Sequence, residues 1–393
     1  MRVPQFLVFS LLLCGSVAAH LDRVGPEFQI NTTAGLFGYA ALSRDSNGNF
    51  VVVWASVGFE FAPAELYGQR FSASSLAIGH EFAIPTSFLR ETSAPSVSTS
   101  SNGDFSVAWV KYDLGYEIVV RLYDSAGRPR SQELVVSSSG TYATTPAISA
   151  SPKGGFVVVW SHEKFYSSII EVLGQRLDDS GANIGVPVRL NSFVAGEHRS
   201  PRVLHHRDHG FTVVWNSFFA ETPKRGGIQL RRFDGRGRPE GDEQRVTTAG
   251  QQGSFSADAA YSTAGDMIVV WTGGQNDVRA RWFNGRGHPI SEEFIVAQSA
   301  GCYDRRPRVA GDIAGNFLIV WEHRWGQGLP EAYGRRINPA GRPAGRTVIL
   351  RRGKRETFAP EVSSLGPLEF AVVWLEARST EARVMGQRFR IRR

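Results

Sequence analysis

Aromatic side chains stand beside carboxylates and histidines in several predicted loops. The segment "SHEKFY" at 161–166 and the segment "EHRWGQG" at 322–328 show the pattern most clearly. Aromatic rings cover the apolar face of a sugar, while charged groups bind its hydroxyls. The residues therefore predict a glycan-binding surface; the alternative is that loop aromatics fold back as small clusters over the sheets. The candidate ligand-binding residues are Phe59, Phe61, Tyr112, His162, Glu163, Tyr166, Phe218, Glu322, His323 and Trp325.

Motifs of known catalytic sites are absent from the sequence. There is no G-x-S-x-G, H-E-x-x-H, phosphate loop or C-x-x-C. The stretch "SRDSNGNFVVVW" begins like the sialidase motif S-x-D-x-G-x-x-W, but Trp54 comes several residues too late. Glu163 and Glu322 are the acids to consider for glycosidase chemistry, which uses a carboxyl pair. We predict no catalytic residue and favour a protein that is not an enzyme.

Two polar turns resemble metal sites. "VLHHRDHGF" at 203–211 contains His205, His206 and His209, but without the spacing of a zinc site. "RDSNGN" at 44–49 lacks the later bidentate acid of a calcium loop. We interpret both as solvated turns and expect neither a metal nor another cofactor.

One motif repeats along the whole chain and must position any such site. Apolar runs such as "NGNFVVVW" and "GGFVVVW" end at tryptophans with steps of 55, 51, 55, 56, 50 and 53 residues, and a period of this size indicates a repeat architecture. The seven repeat tryptophans are Trp54, Trp109, Trp160, Trp215, Trp271, Trp321 and Trp374.

Each repeat contains four short β-rich runs separated by turn residues. A stretch such as "PAIS" precedes the tryptophan run; "YGQRF" or a variant follows it, and then "EFAI" or a variant. Four such runs predict a four-stranded antiparallel sheet. The second run is apolar at nearly every position, which is typical of a strand buried on both faces. Sheets stacked around a ring provide that burial.

The ends of the chain predict how the ring closes. The seventh repeat, 360–389, has only three runs, and "EFQI" at 27–30 stands before the first repeat without partners. We therefore predict an all-β fold: a seven-bladed β-propeller with four antiparallel strands per blade, whose last blade is closed by the N-terminal strand.

The first 19 residues read as a signal peptide. Arg2, the apolar "FLVFSLLL" and the small residues before His20 give its three parts. We expect cleavage near Ala19, one propeller domain over 20–393, and an exported protein, periplasmic or extracellular. No later segment of the mature chain reaches the length of a membrane span. Cys14 leaves a lipoprotein open, although Leu12 and Leu13 precede it.

The chain is basic, with a formal net charge of +7. Its most basic stretch, "GRPAGRTVILRRGKR", suggests binding to a polyanion; the alternative is a solvated edge strand protected against aggregation. No nucleic-acid-binding motif occurs, and we expect a monomer. The basic residues considered are Arg342, Arg346, Arg351, Arg352 and Arg355.

The repeat motifs resemble those of a bacterial family. Tandem repeats with G-G-F-V-V-x-W, Y-G-Q-R-F-D and G-x-E-F-x-V occur in secreted and cell-surface bacterial proteins, often with calcium-binding or adhesin-like modules. The resemblance covers 27–389 and implies an exported bacterial propeller, but the family has no single established activity.

These observations lead to three hypotheses for function. The first is a non-catalytic binding propeller that contacts a glycan or a surface partner through the face with the longer loops. The second is a glycan-active enzyme, a hydrolase or lyase, that uses loop carboxylates. The third is a polyanion binder driven by arginine, whose affinity would fall with salt.

Overall fold

In the residues that the computed structural model describes, the regular secondary structure consists of β-strands. These residues are 21–56, 64–86, 94–112, 115–137, 142–163, 169–219, 226–248, 255–298, 300–378 and 381–392. Residues 1–20, which include the expected signal peptide and Cys14, lie outside them. Within the described ranges no helix has the length and hydropathy needed to cross a membrane.

The described residues form 28 strands in chain order. The strands up to the third repeat are β1 Leu21–Gln29, β2 Phe37–Arg44, β3 Phe50–Ser56, β4 Leu66–Phe71, β5 Ala77–Ile84, β6 Ser96–Thr99, β7 Phe105–Tyr112, β8 Tyr116–Tyr123, β9 Leu134–Val135, β10 Tyr142–Ala150, β11 Phe156–Glu163, β12 Ile170–Leu177 and β13 Asn183–Arg189. The remaining strands are β14 Glu197–His205, β15 Phe211–Phe218, β16 Gly227–Phe233, β17 Gln244–Arg245, β18 Phe255–Tyr261, β19 Met267–Thr272, β20 Val278–Phe283, β21 Phe294–Ala297, β22 Cys302–Gly311, β23 Phe317–Trp325, β24 Glu331–Ile337, β25 Pro343–Arg351, β26 Glu356–Gly366, β27 Glu369–Arg378 and β28 Glu381–Ile391.

Each repeat contributes an antiparallel run of four neighbouring strands. Four sheets have the orders β2-β3-β4-β5, β18-β19-β20-β21, β22-β23-β24-β25 and β1-β28-β27-β26. A fifth, 12-stranded sheet contains the runs from β6 to β9, β10 to β13 and β14 to β17. Single parallel pairs, Tyr142 with Tyr116 and Ile170 with Glu197, connect these three runs. The first strands lie side by side around a closed circle, in which β26 contacts both β22 and β2.

The N-terminal strand belongs to the sheet of the last repeat. β1 pairs antiparallel with β28 from Leu21↔Ile391 to Gln29↔Met385, with an irregularity between Val24 and Phe28. The strand is thus longer than the 27–30 expected from sequence. The Phe28 ring covers Gly386, where a Cβ atom would lie 2.6 Å from the ring, so this position requires glycine.

The core is divided into hydrophobic clusters between neighbouring repeats. Each repeat tryptophan is at most 1% exposed and packs against the central strand of the preceding repeat. Trp109, for example, shares a cluster with Val51 and Val53, and Trp54 shares one with Val373 of the last repeat. Burial between two sheets explains why the central strands are apolar at almost every position.

Arginines of the "GQRF" motif bind the following repeat. Arg70 Nη1 donates to the Ser125 carbonyl at 2.5 Å, and Arg176 Nη1 donates to the Arg236 carbonyl at 3.0 Å. Arg388 Nη1 makes the same kind of bond from the last repeat to Ala73 of the first, at 3.0 Å. These bonds satisfy turn carbonyls and join neighbouring sheets at their outer halves.

Candidate functional site

A central cavity of about 460 Å³ lies inside the circle of first strands. The first strand of every repeat contributes to its wall, and the ends of β7 and β8 add two tyrosines. Residues that represent the seven first strands are Tyr39, Ser96, Thr144, Ser200, Ser256, Arg306 and Ala359. A concave site of this size is the usual location of a binding or active site.

Four charged residues occupy equivalent positions of the cavity wall. Arg202, Asp258, Arg308 and Glu361 stand 13 residues before the tryptophans of repeats four to seven, and all four line the cavity. We call them the charged arc. Repeats one to three place Ala41, Ser96 and Ala147 at the corresponding points of the wall. The wall is therefore charged on one side, with alternating sign, and lined by small residues on the other.

The charged arc is held by ion pairs and one backbone bond. Arg308 Nε lies 2.7 Å from Glu361 Oε1, and Arg202 Nε lies 3.7 Å from Asp258 Oδ1. The Val309 amide donates to Asp258 Oδ2 at 2.9 Å. The side chains of Asp258 and Glu361 are 15% and 21% exposed. Two carboxylates are thus fixed in a largely enclosed space that a small ligand can enter.

Burial and neighbouring charges shift the pKa values of three residues of the charged arc. It raises the pKa of Glu361 above its ordinary value, although Arg308 and Arg202 favour the charged form. Burial opposes the charge of Arg308 as well, but the neighbouring Glu361 and Asp258 outweigh it and raise the pKa of Arg308. Burial and the like charge of Arg308 lower the pKa of Arg202. A carboxyl with a raised pKa in a cleft is a candidate proton donor.

Strained backbone surrounds the cavity at equivalent points. Five non-glycine residues of the first strands have φ between 48° and 55°, a region that side chains rarely adopt. Each coincides with a shift of strand register, such as that between Arg199 and Arg202 or between Phe358 and Glu361. Such bulges re-aim the side chains that follow, and each strained residue costs on the order of 1–3 kcal/mol. The five residues are Thr145, Ser200, Ser256, Arg306 and Ala359.

The structure places some predicted ligand-binding residues near this cavity. Tyr112 lines it together with Tyr116, whose ring centroid is 5.1 Å away. Glu322 Oε2 accepts a bond of 3.5 Å from Arg306 Nη1, and Arg306 also lines the cavity. Phe59, Phe61 and Tyr166 lie outside the described residues.

The other predicted residues lie elsewhere. His162 is buried, and Glu163 is half-buried and pairs in register with Tyr142. Phe218 is 36% exposed at the end of β15. His323 is buried, and with Trp325 it lines a separate groove in the sixth repeat.

Sequence reasoning missed the charged arc. Its signal was present, since Arg202, Arg308 and Glu361 each follow the proline that opens their repeat. Aligning the repeats on their tryptophans and comparing that one column would have shown the alternating charges.

The basic stretch is largely engaged in ion pairs. Arg351 Nε lies 2.6 Å from Glu376, Arg352 Nε lies 2.6 Å from Glu331, and Arg355 Nη2 lies 3.2 Å from Glu381. Arg342 and Arg346 are exposed. These carboxylates reduce the positive charge that the stretch presents.

Metal ligands are not grouped in the part of the chain that the structure describes. No set of three or more histidines, cysteines, aspartates or glutamates there could hold a metal ion. His205 Nδ1 lies 3.0 Å from Ser149 Oγ, and His206 Nε2 lies 2.7 Å from Thr212 Oγ1. Cys302 is buried, and its thiol donates to the Ala300 carbonyl at 3.9 Å.

Acidification is expected to destabilise the protein through His205 and His206. Burial lowers the pKa of each to about 4; nearby cations such as Arg176 and Arg232 add to the shift. Because the unfolded chain binds these protons near pH 6.5, their stabilising contribution is complete above that pH and falls as pH approaches 4. Lowering the pH from 7 to 5 should reduce the free energy of unfolding by about 2 kcal/mol for each of the two histidines.

Thermal melts at both pH values measure this loss. His206→Gln should lose less stability on acidification than the unmodified protein, whereas His288→Gln, at an exposed turn, should behave like the unmodified protein. Equal losses in all three proteins would contradict the assignment.

The architecture is that of a β-propeller. The β-propeller domain of the Trilobed protease from Pyrococcus furiosus matches with a TM-score of 0.52 and 9% identity, over 91% of this chain and 94% of that one. An α-L-arabinanase from Penicillium chrysogenum, complexed with arabinobiose, matches with a TM-score of 0.52 and 11% identity, over 92% and 98%. A GH93 α-L-arabinofuranosidase from Fusarium graminearum matches with a TM-score of 0.54 and 12% identity, over 83% and 98%. No protein-family model matches the chain, and no curated protein matches it in sequence.

These similarities correct the first functional hypothesis. The sequence analysis favoured a non-catalytic binding propeller, but the arabinanase and the arabinofuranosidase that share this fold are carbohydrate-cleaving enzymes. That interpretation was wrong, and the comparison favours the alternative of a glycan-active enzyme. The acids considered from sequence were Glu163 and Glu322, whereas Asp258 and Glu361 of the charged arc lie on the first strands of their repeats.

Proposed function

We propose that this protein is a glycan-active hydrolase whose reaction centre is the charged arc of the central cavity. The observation that carries the proposal is the pair of carboxyl groups, Asp258 and Glu361, fixed on one wall of the cavity beside two arginines. Most glycoside hydrolases use two carboxyl groups, one protonated and one ionised. The cavity wall holds two carboxyl groups, and burial raises the pKa of one of them, Glu361.

Glu361 is the proposed general acid. Its raised pKa keeps a proton available for the glycosidic oxygen as the bond to the sugar breaks. Asp258, which accepts the Val309 amide bond and faces Arg202, is the proposed carboxylate that activates water or stabilises the positive sugar ring. Water supplies a hydroxyl to the sugar carbon and a proton to the enzyme, so the reaction balances as hydrolysis.

The uncharged side of the cavity is the proposed place for the sugar. Ala41, Ser96 and Ala147 leave space there, and Tyr112 and Tyr116 stand at the edge. Small residues opposite a charged wall allow a ring to lie against the carboxyl groups. Arg202 and Arg308 would hold the carboxyl groups in position, so we assign them a positioning role.

We also infer a seven-bladed ring closed by β1, an exported protein, and membership in the bacterial repeat proteins that the motifs resemble. The seven tryptophan clusters, including the one between Trp54 and Val373 of the last repeat, support the blade count. The pairing of β1 with β28 supports the closure. The amino-terminal residues supply the argument for export.

Turnover of a defined glycan panel tests the function. Purified protein is incubated with debranched arabinan, arabinoxylan, galactan and polygalacturonate, and released oligosaccharides are separated and identified by mass. We expect hydrolytic products from at least one polymer and none with Asp258→Asn. Absence of product from all four polymers by a folded protein, as judged by circular dichroism, would contradict the proposal; unsaturated products would indicate a lyase instead.

A further inference from the structure

A groove of about 700 Å³ lies in the sixth repeat, apart from the central cavity. No residue of its lining is shared with the cavity lining. The residues that shape it are His323 and Trp325 of β23, Glu331 and Tyr333 of β24, and Arg352 after β25. The groove combines aromatic rings with a charged pair, whereas the central cavity carries its charges on one wall.

Trp325 is exposed but firmly placed. It is 66% exposed, although it ends a nine-residue strand and pairs in register with Cys302. The Gly328 amide donates to the Trp325 carbonyl at 2.7 Å, and the Gly326 amide donates to the Gly301 carbonyl at 3.2 Å. The backbone of Trp325 is therefore held in place while its large aromatic face is presented to solvent, which reduces the backbone ordering needed on binding.

Tyr333 forms the wall of the groove and is fixed from both sides. Its ring centroid lies 4.2 Å from that of His323, and His323 Nδ1 lies 2.6 Å from the buried Asp304. At its other end the Tyr333 hydroxyl donates to Glu331 at 3.3 Å and accepts from Arg352 Nη2 at 3.1 Å. The wall is a rigid aromatic surface with polar atoms at its edge.

The Glu331–Arg352 pair gives the groove a hydrogen-bond acceptor, the Glu331 carboxylate, and a hydrogen-bond donor, the Arg352 guanidinium. Arg352 Nε lies 2.6 Å from Glu331 Oε1, and the Arg352 side chain is 59% exposed. A paired acid and base of this kind carry no net charge, so they favour a neutral ligand rich in hydroxyl groups over a polyanion. Aromatic faces flanked by such groups fit sugar rings, which have an apolar face and polar edges.

We propose that this groove is a second carbohydrate-docking site, in which a neutral sugar ring lies on Trp325 and its hydroxyls bind Glu331 and Arg352. The proposal rests on the proposed glycan-directed function and extends it. The site holds the polymer at a distance from the charged arc, so that a chain bound here is retained near the central cavity. It thus contributes to affinity for polymers and takes no part in bond cleavage.

Affinity electrophoresis tests the docking site. Asp258→Asn, which should not cut the polymer, is run in native gels that contain debranched arabinan or arabinoxylan, at low and at physiological salt. We expect retardation by at least one neutral polymer at both salt levels. Adding Trp325→Ala should weaken that affinity roughly tenfold, as loss of an aromatic platform predicts. The matched control is Phe193→Ala, a 45%-exposed aromatic in the segment after β13, which should leave the affinity unchanged.

Three outcomes would overturn the docking site. They are no retardation by either neutral polymer, retardation that Trp325→Ala leaves unchanged, and retardation only by polygalacturonate that disappears with salt. Retardation lost with Trp325→Ala in a protein that releases no product from the four polymers would retain the docking site and remove the hydrolase proposal. Product release together with unchanged retardation in Trp325→Ala would retain the hydrolase proposal and remove the docking site.

Discussion

Glu361→Gln is expected to slow glycan hydrolysis by about 10²–10⁴-fold, the usual contribution of a general acid. Glutamine keeps the size and one acceptor of the side chain but has no proton to donate at the glycosidic oxygen. The loss should appear in kcat, because the neutral amide still occupies the same place in the cavity wall. Released reducing ends, measured over a range of substrate concentrations, give this value.

The pH profile and the leaving group separate a catalytic from a structural role of Glu361. An acid must be protonated, so the rate should fall as pH rises through its pKa, which burial raises above the ordinary value; the variant should lack this alkaline limb. A dinitrophenyl glycoside needs no proton on its leaving group and should lose far less rate in the variant. Glu369→Gln, which breaks an ion pair with Arg390 elsewhere in the same repeat, is the matched control. Equal losses on both substrates would assign Glu361 a structural role.

Deleting residues 21–31 is expected to lower the melting temperature by on the order of 10 °C, since several kcal/mol of lost stability shift a domain of this size by that amount. The deletion removes the β1–β28 ladder and leaves the edge of β28 unpaired. It also removes Ile30, which is 2% exposed and bonds through its amide to the Val384 carbonyl at 2.8 Å. Asn31 Oδ1, which accepts the Val384 amide at 2.7 Å, is lost as well.

A synthetic peptide of residues 21–31 provides the control for this deletion. Added in excess, it should raise the melting temperature of the truncated protein, because the β28 edge and the Phe28 site over Gly386 are still present. A peptide with Phe28→Ala should stabilise the protein less. An unchanged melt after deletion would show that β1 does not close the fold.

The sequence predicts the fold well because the repeat carries its information locally. A tryptophan at the end of an apolar run marks a strand between two sheets, and Trp54 to Trp374 all occupy such places. The full length of β1 was harder to predict from sequence. Leu21–Val24 has no repeat partner to compare with and is separated from "EFQI" by an irregularity that begins at Gly25. That part of the ladder depends on contacts with β28, more than 350 residues away in sequence.

The candidate site was harder to predict than the fold. Alternation along a strand normally tells which side chains share a face, but the bulges at Ser200, Ser256 and Ala359 shift the register just before Arg202, Asp258 and Glu361. Alternation alone therefore does not predict that Arg202, Asp258 and Glu361 line the cavity. Tyr112, by contrast, was predicted as an aromatic of a loop; it ends β7 and lines the cavity.

The pairing of β1 with β28 also has a consequence for the order of events during biosynthesis. The Asn31–Val384 bond spans 353 residues. At a synthesis rate of about 5–20 residues per second, a ribosome therefore adds Val384 roughly 20–70 s after Asn31. Throughout that interval the first strand made has no partner, and the first repeat lacks the neighbour that covers Trp54. The ring can therefore close only once β28 has been made, and a chaperone that shields an unpaired β1 would act in this window.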